Sequence, residues 1–411
     1  MTTTINNEHK KLNAPNKREQ NQTCLDSAER EGLRPKGNVP NLRFPEFHGE
    51  WEKCRLGDVC TFLSGGTPKI DIKEYWNGTI PFVSAISMHD TYILDSKLHI
   101  SEEGLKHGSR LLTKDNLLLL VRGSMLWNTI PICLNKNDVA FNQDVKGIIA
   151  NDTINNEFLL YWLKSKEQRL KYMVTGTGLG AGKLDTIDLL SMIVYIPAMK
   201  EQDKVARLLS LFDERIATQN KIIDKLQSLI KGIRNDVYGK LRKSVGVNAM
   251  ISDVLSYEQP QPYIVKDTEY TAEGIPVLTA NKAFVLGYTS ETDGIYDKGD
   301  CIIFDDFTLD CKYVDFPFKV KSSAIKILTA KNKELLRYTF EFLKYLDLST
   351  EEHKRHYIAE TQNQEFILPT EQIVKTIAHI FSTLSVRMET AVKQRNVFEK
   401  QKQYLLRQMF I

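Results

Sequence analysis

The sequence lacks most of the features that mark a membrane protein, a secreted protein or a disulfide-rich protein. No run approaches the roughly 18 apolar residues that a membrane-spanning helix needs. The first twenty residues also lack the apolar core of a signal peptide. The cysteines are scattered without a Cys-x-x-Cys pair, so we expect free thiols rather than a zinc site; they are Cys24, Cys54, Cys60, Cys133, Cys301 and Cys311. These absences predict a cytoplasmic protein.

Motifs for catalysis and for cofactors are also missing. The eight histidines form no His-Glu-x-x-His motif, and the amino-methyltransferase signature (Asn or Asp, then Pro-Pro and an aromatic) does not occur. The glycine-rich run 176–183 is not a P-loop, because Thr177 stands where the first glycine is needed and Leu184 follows Lys183. His353 and His356 have a spacing that some metal sites use, but we expect no metal there. The sequence therefore predicts no catalytic residues, no metal and no cofactor of its own.

The composition is that of a globular protein of two or three domains. Of the 411 residues, 42% are hydrophobic and 26% are charged, and the mean hydropathy is −0.31. A formal net charge of +3 is too small to indicate a nucleic-acid partner by itself, so any DNA-binding charge must be local. Residues 1–40 are polar and without periodicity, and we expect a disordered tail there.

Two apolar stripes repeat at alternating steps of four and three residues, which is the spacing of a coiled-coil seam. The second stripe follows the first at an offset of 172 residues, and each covers 33 residues, roughly 50 Å of helix. The pattern predicts two rigid spacer helices, at 196–245 and 367–411. The candidate seam residues are Val205, Leu209, Phe212, Ile216, Ile223, Leu226 and Ile230, and then Ile377, Phe381, Leu384, Met388, Phe398 and Leu405.

The segments between the stripes also repeat. Residues 41–195 and 246–366 contain short β-rich runs broken by Gly, Pro and Asn, which predicts two mixed α/β domains. Three matches occur in the same order, 56–59 with 251–254, 80–83 with 275–278, and 158–161 with 335–338. The entry to both helices is also shared, with Pro197 before Glu201-Gln202 and Pro369 before Glu371-Gln372. A period this long indicates domain duplication rather than a solenoid.

This layout resembles the DNA specificity subunit of type I restriction-modification systems. The resemblance covers residues 39–411 and rests on the order of its motifs, which are Val39–Pro45 before Trp51, Leu56–Val59, Ser64–Lys69, Ile80-Pro81, and the start of the first helix through Lys204-Val205-Ala206. The second domain departs from the pattern, because Tyr257–Pro262 stands where the first has Ser-Gly-Gly-Thr-Pro.

The resemblance implies an α+β fold with a pseudo-two-fold internal repeat, in which two target-recognition domains are separated by two long antiparallel coiled-coil helices. Each domain would read one half of a bipartite site in double-stranded DNA, and the helices would set the spacing and dock two methyltransferase (modification) subunits. Restriction and translocase subunits would join the full complex. The chain would have no catalytic centre, and S-adenosylmethionine, ATP and Mg would belong to the partner subunits. A coiled-coil interaction protein without its own DNA readout is the alternative.

Two polar residues interrupt the second stripe. Arg395 and Lys402 stand where the first stripe has isoleucines. We hypothesise that they pair with Gln219 and Glu214 and thereby fix the alignment of the helices. Alternatively, their charged ends extend to solvent at the edge of the seam.

Direct readout needs Arg, Lys, Asn, Gln, Ser and Thr side chains on exposed loops. In the first domain the candidates are Ser64, Gly65, Gly66, Thr67, Lys69, Ser84, Ser87, His89, Arg122, Ser124, Asn142, Gln143, Thr177 and Lys183. In the second domain they are Thr279, Asn281, Lys282, Lys319, Lys321, Lys354, Arg355 and His356. Asn142-Gln143 has the alternative of an ordinary turn, Lys354-Arg355 that of a solvated helix end, and the glycine-rich run that of a structural turn.

Overall fold

The structure is a computed structural model and describes residues 37–178, 180–280, 283–350 and 355–411. The chain divides into two compact units. The first contains the chain up to Glu214 together with Glu399–Ile411, and the second contains Arg215–Phe398. Each unit therefore combines one mixed α/β domain with segments of both long helices. The predicted tail at 1–40 lies outside the described residues except for its last four positions.

The described part of the first domain contains fourteen strands and five α-helices. The strands are β1 Glu52–Arg55, β2 Cys60–Ser64, β3 Ile80–Val83, β4 Tyr92–Ile93, β5 Leu98–Ile100, β6 Leu111–Leu112, β7 Leu117–Leu120, β8 Arg122–Gly123, β9 Ile132–Asn135, β10 Val139–Phe141, β11 Val145–Ala150, β12 Thr175–Gly176, β13 Gly182–Lys183 and β14 Ile193–Ile196. The helices are α1 Leu56–Val59, α2 Glu102–Lys106, α3 Asn156–Ser165, α4 Glu167–Met173 and α5 Thr186–Leu190.

The core of the first domain lies on a five-stranded sheet of order β2-β11-β7-β9-β4. Its central strand β7 is the run Leu117–Leu120, in which every side chain is buried, as expected for a strand that is covered on both faces. Helix α3 adds six consecutive buried residues from Phe158 to Leu163. A four-stranded sheet of order β5-β3-β10-β6 and a small sheet of order β12-β13-β8 complete the domain, and β1 pairs with β14.

The second unit begins in the first long helix, α6 Met199–Ser244. Its strands are β15 Ala249–Met250, β16 Leu255–Glu258, β17 Ile275–Leu278, β18 Val285–Thr289, β19 Cys301–Asp305, β20 Cys311–Val314, β21 Lys319–Val320, β22 Ile325–Ala330 and β23 Glu365–Phe366. Its helices are α7 Ile251–Val254 and α8 Lys333–Leu346, and the second long helix is α9 Glu371–Gln408.

The strand order of the second domain repeats that of the first. The sheet β16-β22-β19-β20 corresponds to β2-β11-β7-β9, and β18-β17-β21 corresponds to β5-β3-β10. Strand β3 pairs with β10 in parallel, and so does β17 with β21. The helices α3 and α8 both follow an asparagine N-cap, at Asn155 and Asn332. The predicted α+β fold with two related domains is therefore confirmed.

The two long helices run antiparallel within each unit. In the first unit, Lys402 near the end of α9 forms an ion pair with Asp213 in the first half of α6. In the second unit, the Arg234 guanidinium near the end of α6 lies 6.0 Å from the ring centre of Phe381 near the start of α9. High numbers on one helix thus face low numbers on the other in both units.

Each candidate seam residue lies on the less exposed face of its helix, while most residues between them are exposed. The buried members are Val205, Leu209, Ile223, Ile377, Phe381 and Leu384, and the half-buried members are Phe212, Ile216, Leu226, Ile230, Met388, Phe398 and Leu405.

Both long helices begin two residues after a proline, Pro197 and Pro369, but their Glu-Gln pairs are not equivalent, contrary to the sequence interpretation. Glu201 is buried and accepts two hydrogen bonds of 2.7 Å from Arg43. Gln202 is also buried, and its Oε1 accepts from the Asn155 amide at 2.8 Å. Glu371 and Gln372 are exposed. Because the helices begin 172 residues apart, Glu371 corresponds to Met199 rather than to Glu201.

Candidate nucleic-acid interface

The loop 64–69 of the first domain is fixed against the end of strand β10. The Gly66 amide donates to the Phe141 carbonyl at 3.0 Å. A Cβ atom on Gly65 would lie 2.2 Å from that same carbonyl oxygen, so only glycine fits this close approach. Thr67 Oγ1 donates to Gln143 Oε1 at 2.7 Å. The loop therefore brings two of the predicted polar segments, 64–69 and 142–143, together.

Two further contacts extend this arrangement. Lys146 on β11 donates from Nζ to Ser64 Oγ at 2.6 Å. The Asn142 amide donates to the Val83 carbonyl at 3.1 Å, so Ser84 follows next to the same strand ends. The chain thus gathers hydroxyl, amide and ammonium groups where β2, β3 and β10 end.

The glycine-rich run forms the next part of this surface. It is a hairpin of β12 and β13, and Lys183 on β13 lies opposite Arg122 on β8. Gly178 and Gly180 have φ of +82° and +78°, which glycine adopts without strain. The indole Nε1 of the half-exposed Trp127 donates to the Gly180 carbonyl at 2.9 Å. Within its described residues the run contributes to a hairpin that carries Lys183, and no helix begins there.

The backbone links this hairpin to the loop at 64–69, because the Arg122 amide donates to the Asp144 carbonyl at 3.3 Å. We call the resulting set the first-domain polar cluster, and its members are Ser64, Thr67, Lys69, Ser84, Arg122, Asn142, Gln143, Lys146 and Lys183. Arginine and lysine bind phosphate oxygens and guanine edges, while amides and hydroxyls can pair with base edges. The cluster is thus equipped for contact with the DNA backbone and bases.

The other first-domain candidates have different surroundings. Ser124 and Thr177 are exposed beside Trp127 and the hairpin. The Ser87 hydroxyl lies 2.8 Å from that of Ser96. His89 lines a separate cavity of about 200 Å³ together with Lys164 and Lys402, among others.

Three candidates of the second domain are buried, and this contradicts their predicted contact with DNA. Thr279, Lys319 and His356 are 7%, 1% and 2% exposed. Lys319 donates to the Asp293 carbonyl at 2.6 Å and lies 3.0 Å from the Glu291 carboxylate. A buried and paired lysine cannot reach a phosphate while the domain stays folded. The sequence does not reveal this burial, because a lysine in a loop-like segment has the same pattern whether its ammonium pairs with an internal carboxylate or faces solvent.

Lys321 and Arg355 are exposed, so contact with DNA remains a prediction for both. The Arg355 guanidinium lies 5.9 Å from the Phe307 ring centre, and its Nη2 lies 3.5 Å from Ser323 Oγ. The candidates Asn281, Lys282 and Lys354 lie outside the described residues.

The second domain has different chemistry at the positions that correspond to the first-domain polar cluster. Lys326 takes the place of Lys146 and donates to Gln259 Oε1 at 2.9 Å, but it is 1% exposed. Phe307 takes the place of Arg122, since the two residues lie two positions after Asp305 and Leu120, which pair with the equivalent residues Ile325 and Val145. An aromatic ring thus stands where the first domain has an exposed cation.

One polar residue of the second stripe, Lys402, has a different partner from those that we hypothesised. Lys402 pairs with Asp213, not with Glu214. The same Asp213 carboxylate accepts a 2.8 Å hydrogen bond from the Tyr161 hydroxyl. Arg395 donates to Asn396 on its own helix at 2.9 Å. The difference between Glu214 and Asp213 matters, because the Asp213 carboxylate contacts helix α3 through Tyr161 as well as helix α9 through Lys402.

Sequence reasoning missed Lys146 and Trp127 as members of this surface. Lys146 is the one charged residue in the β-rich run 145–150, and a charge inside a strand is a usable signal because strand interiors seldom bury lysine. Trp127 gave no signal, since its neighbour Gly180 is more than fifty residues away in sequence.

The described residues offer little for metal or thiol chemistry. They contain no group of three or more His, Cys, Asp or Glu residues that could hold a metal ion. Burial raises the pKa of Cys60, Cys133 and Cys301 to about 12, which disfavours their thiolates. Within the same described ranges, no helix has the length and apolar character needed to cross a membrane.

Known proteins share both the sequence and the fold of this chain. Residues 48–228 match the family model of the type I restriction modification DNA specificity domain. The specificity subunit of the type I restriction enzyme EcoR124I/EcoR124II from Escherichia coli is 45% identical over 126 residues, which are 29% of this chain and 31% of that protein. The MjaIX specificity subunit from Methanocaldococcus jannaschii is 29% identical over 184 residues, 43% of this chain and 42% of that protein.

These two matches span less than half of either relative. A fold similarity extends further. The crystal structure of the S subunit of a type I restriction-modification system from M. genitalium has a TM-score of 0.63 and 16% identity, and the match covers 91% of this chain and 99% of that one. At this identity the similarity concerns the fold alone. The family match is confined to residues 48–228, which contain most of the first domain and the first part of the first long helix, so it is this stretch that is similar to the type I restriction modification DNA specificity domain.

Proposed function

We propose that this chain is the sequence-reading subunit of a type I restriction-modification complex. Each of its two domains reads one half of a bipartite target in double-stranded DNA. The long helices set the spacing between the half-sites and dock two methyltransferase subunits. Since the target is the cell's own DNA and that of invading phage, the complex acts in the cytoplasm.

The observation that carries this proposal is the first-domain polar cluster. It combines exposed cations at Lys69 and Arg122 with the hydrogen-bonding groups of Ser64, Thr67 and Gln143 at one set of strand ends. Phosphate contacts position a protein on DNA, and amide or hydroxyl contacts to base edges specify sequence. A protein that served only as a coiled-coil scaffold has no need of such a surface.

The chemistry of the complex belongs to the partner subunits in this proposal. The methyltransferase subunits bind S-adenosylmethionine, and the restriction and translocase subunits use ATP and Mg. The chain itself is non-catalytic and needs no cofactor. Its differing second domain, with Phe307 in place of Arg122, supports two unlike half-sites.

Sequencing of the methylome tests the proposal directly. Cells that carry this chain with its methyltransferase partner should gain a methylated bipartite motif with a fixed spacer. A variant with Lys69→Ala and Gln143→Ala should lose or relax the letters of one half-site and keep those of the other. Full methylation with an unchanged motif in this variant would contradict reading by the cluster. If the purified complex shows no sequence preference in a mobility-shift assay, the scaffold alternative is favoured instead.

A further inference from the structure

Each domain packs against the long helices through one helix, which we call its docking helix. The docking helix of the first domain is α3, and that of the second domain is α8. Their asparagine N-caps are 177 residues apart, and each accepts a hydrogen bond from the amide three residues later. Residues of the two docking helices therefore correspond one to one, and Lys164 corresponds to Glu341.

In the second unit the docking helix supplies the acid. The Glu341 carboxylate is 1% exposed and accepts hydrogen bonds of 2.6 and 3.0 Å from Arg234 on the first long helix. Arg337, one turn earlier on the docking helix, donates to the same carboxylate at 2.8 Å and also bonds Ser385 on the second long helix. Two arginines thus share one buried carboxylate.

In the first unit the long helices supply the acid. Asp213 on the first long helix pairs with Lys402 on the second and accepts from Tyr161. The docking helix contributes a cation, Lys164, whose Nζ donates to Thr91 Oγ1 at 2.8 Å. Burial, and secondarily the charge of Lys402, lower the pKa of Lys164 to about 8.

The long helices carry different groups at corresponding positions of the two ends. With the offset of 172 residues, Arg234 corresponds to Leu406, Ser385 to Asp213, and Ile230 to Lys402. A second domain placed at the first end would bring Arg337 to Asp213, which is complementary, and Glu341 to Leu406, where Arg337 on its own helix still pairs with the carboxylate. A first domain placed at the second end would bring Lys164 to Arg234 with no carboxylate between them.

We infer that the Arg234 end of the helix pair accepts only a domain whose docking helix carries a carboxylate at the Glu341 position, and that it rejects the first domain. Two cations without an anion are costly in a site this buried, and removing one partner of a buried pair is strongly destabilising. The discrimination acts in one direction only, because the other end tolerates either domain provided that Arg43, the partner of the buried Glu201, is kept. The consequence of this discrimination rests on the proposed function. If each domain reads one half-site, a fixed place for each domain also fixes the order of the two half-sites in the target.

Two full-length chimeras test the inference by limited proteolysis, which measures docking without DNA or methyltransferase and so is independent of the proposed function. One chimera carries residues 246–366 in place of 51–195, which keeps Arg43 as the partner of Glu201, and the other carries 51–195 in place of 246–366. We expect the first to be protected like the native chain, and the duplicated first domain of the second chimera to be cleaved roughly a hundredfold faster. Equal protection of both chimeras would overturn the inference.

Charge reversal distinguishes this mechanism from a general failure of the chimera to fold. Lys164→Glu in the misplaced copy should restore most of the protection, whereas Lys97→Glu, an equal change of charge at an exposed position of the same domain, should not. In the native chain, Glu341→Lys should increase cleavage in the second unit, and adding Arg234→Glu should reverse much of this increase. Absence of rescue in both backgrounds would sink the inference.

Discussion

Arg122 and Phe307 occupy equivalent positions in the two domains and both are exposed, but only Arg122 carries a charge. Arg122 lies on a strand that pairs with the glycine-rich hairpin. The residue before Phe307, Asp306, is buried, and its Oδ1 accepts from the amides of His356 and Tyr357 at 3.0 and 2.7 Å. The same backbone site therefore presents a cation in one domain and an aromatic ring in the other.

At the residue scale, we expect Arg122→Ala to weaken DNA binding through the loss of a phosphate contact. The affinity should fall for all sequences alike, and the slope of log affinity against log salt should shrink by about one. Titration of the complex with its methyltransferase subunits at several salt concentrations measures both quantities. The matched control is Lys97→Ala, since Lys97 is exposed. A changed motif with an unchanged salt slope would show that Arg122 reads a base instead.

At the element scale, the two long helices owe their fit in the first unit to a buried polar contact as well as to the apolar seam. The side chains of Asp213 and Lys402 are 13% and 9% exposed, and the Tyr161 hydroxyl from the docking helix joins them. Three elements therefore meet at one carboxylate. A polar group at a seam position fixes the alignment of two helices because other alignments leave it unpaired.

Lys402→Met should lower the free energy of unfolding by roughly 3 kcal/mol, because it leaves a buried carboxylate without its cation. Adding Asp213→Asn removes the unpaired charge and should recover much of this loss. Chemical denaturation of the single and double variants measures both values. If Lys402→Met is as stable as the native chain, the ion pair contributes nothing and the lysine only covers the seam edge.

At the scale of the whole molecule, charge is distributed unevenly along the chain. Residues 246–366 contain 20 acidic and 13 basic residues, whereas the long-helix segments 196–245 and 367–411 together contain 9 acidic and 18 basic residues. The net charge of the second domain therefore opposes DNA binding. Under the proposed function, we expect its contacts with DNA to come from exposed cations such as Lys321 and Arg355.

If the helices set the spacing, lengthening both should change the spacer and leave the half-sites intact. Seven residues inserted after Ala217 and seven after Asn396 keep the heptad register and add about 10 Å of helix. This corresponds to about three base pairs of B-DNA. Methylome sequencing of the double insertion should return the same two half-sites with a longer spacer. Insertion in one helix alone should disrupt the pairing, and altered half-site letters in the double insertion would contradict the division of labour.

Much of the architecture could be predicted from the sequence because periodicity and repetition are local properties. Steps of four and three residues define a helix seam regardless of what surrounds the helix. Likewise, Ile80–Val83 and Ile275–Leu278 form equivalent strands, as their shared pattern predicts. The Glu-Gln pairs near the helix starts were wrongly taken as equivalent, because they recur at different distances from the two prolines. A short motif carries no information about its register within an element.

The sequence by itself determined the two domains, their relationship and the two long helices, since these follow from patterns that neighbouring residues create. Only the tertiary structure decided which charges are available. Lys319 and Lys326 lie on strands like Lys146, but Lys319 pairs with the Glu291 carboxylate and Lys326 donates to the side-chain amide of Gln259. Only the fold, likewise, brought Asp213, Tyr161 and Lys402 to one point, and set Glu341 between Arg234 and Arg337. The exposure and pairing of a charge depend on groups that are distant in sequence, and periodicity does not report on them.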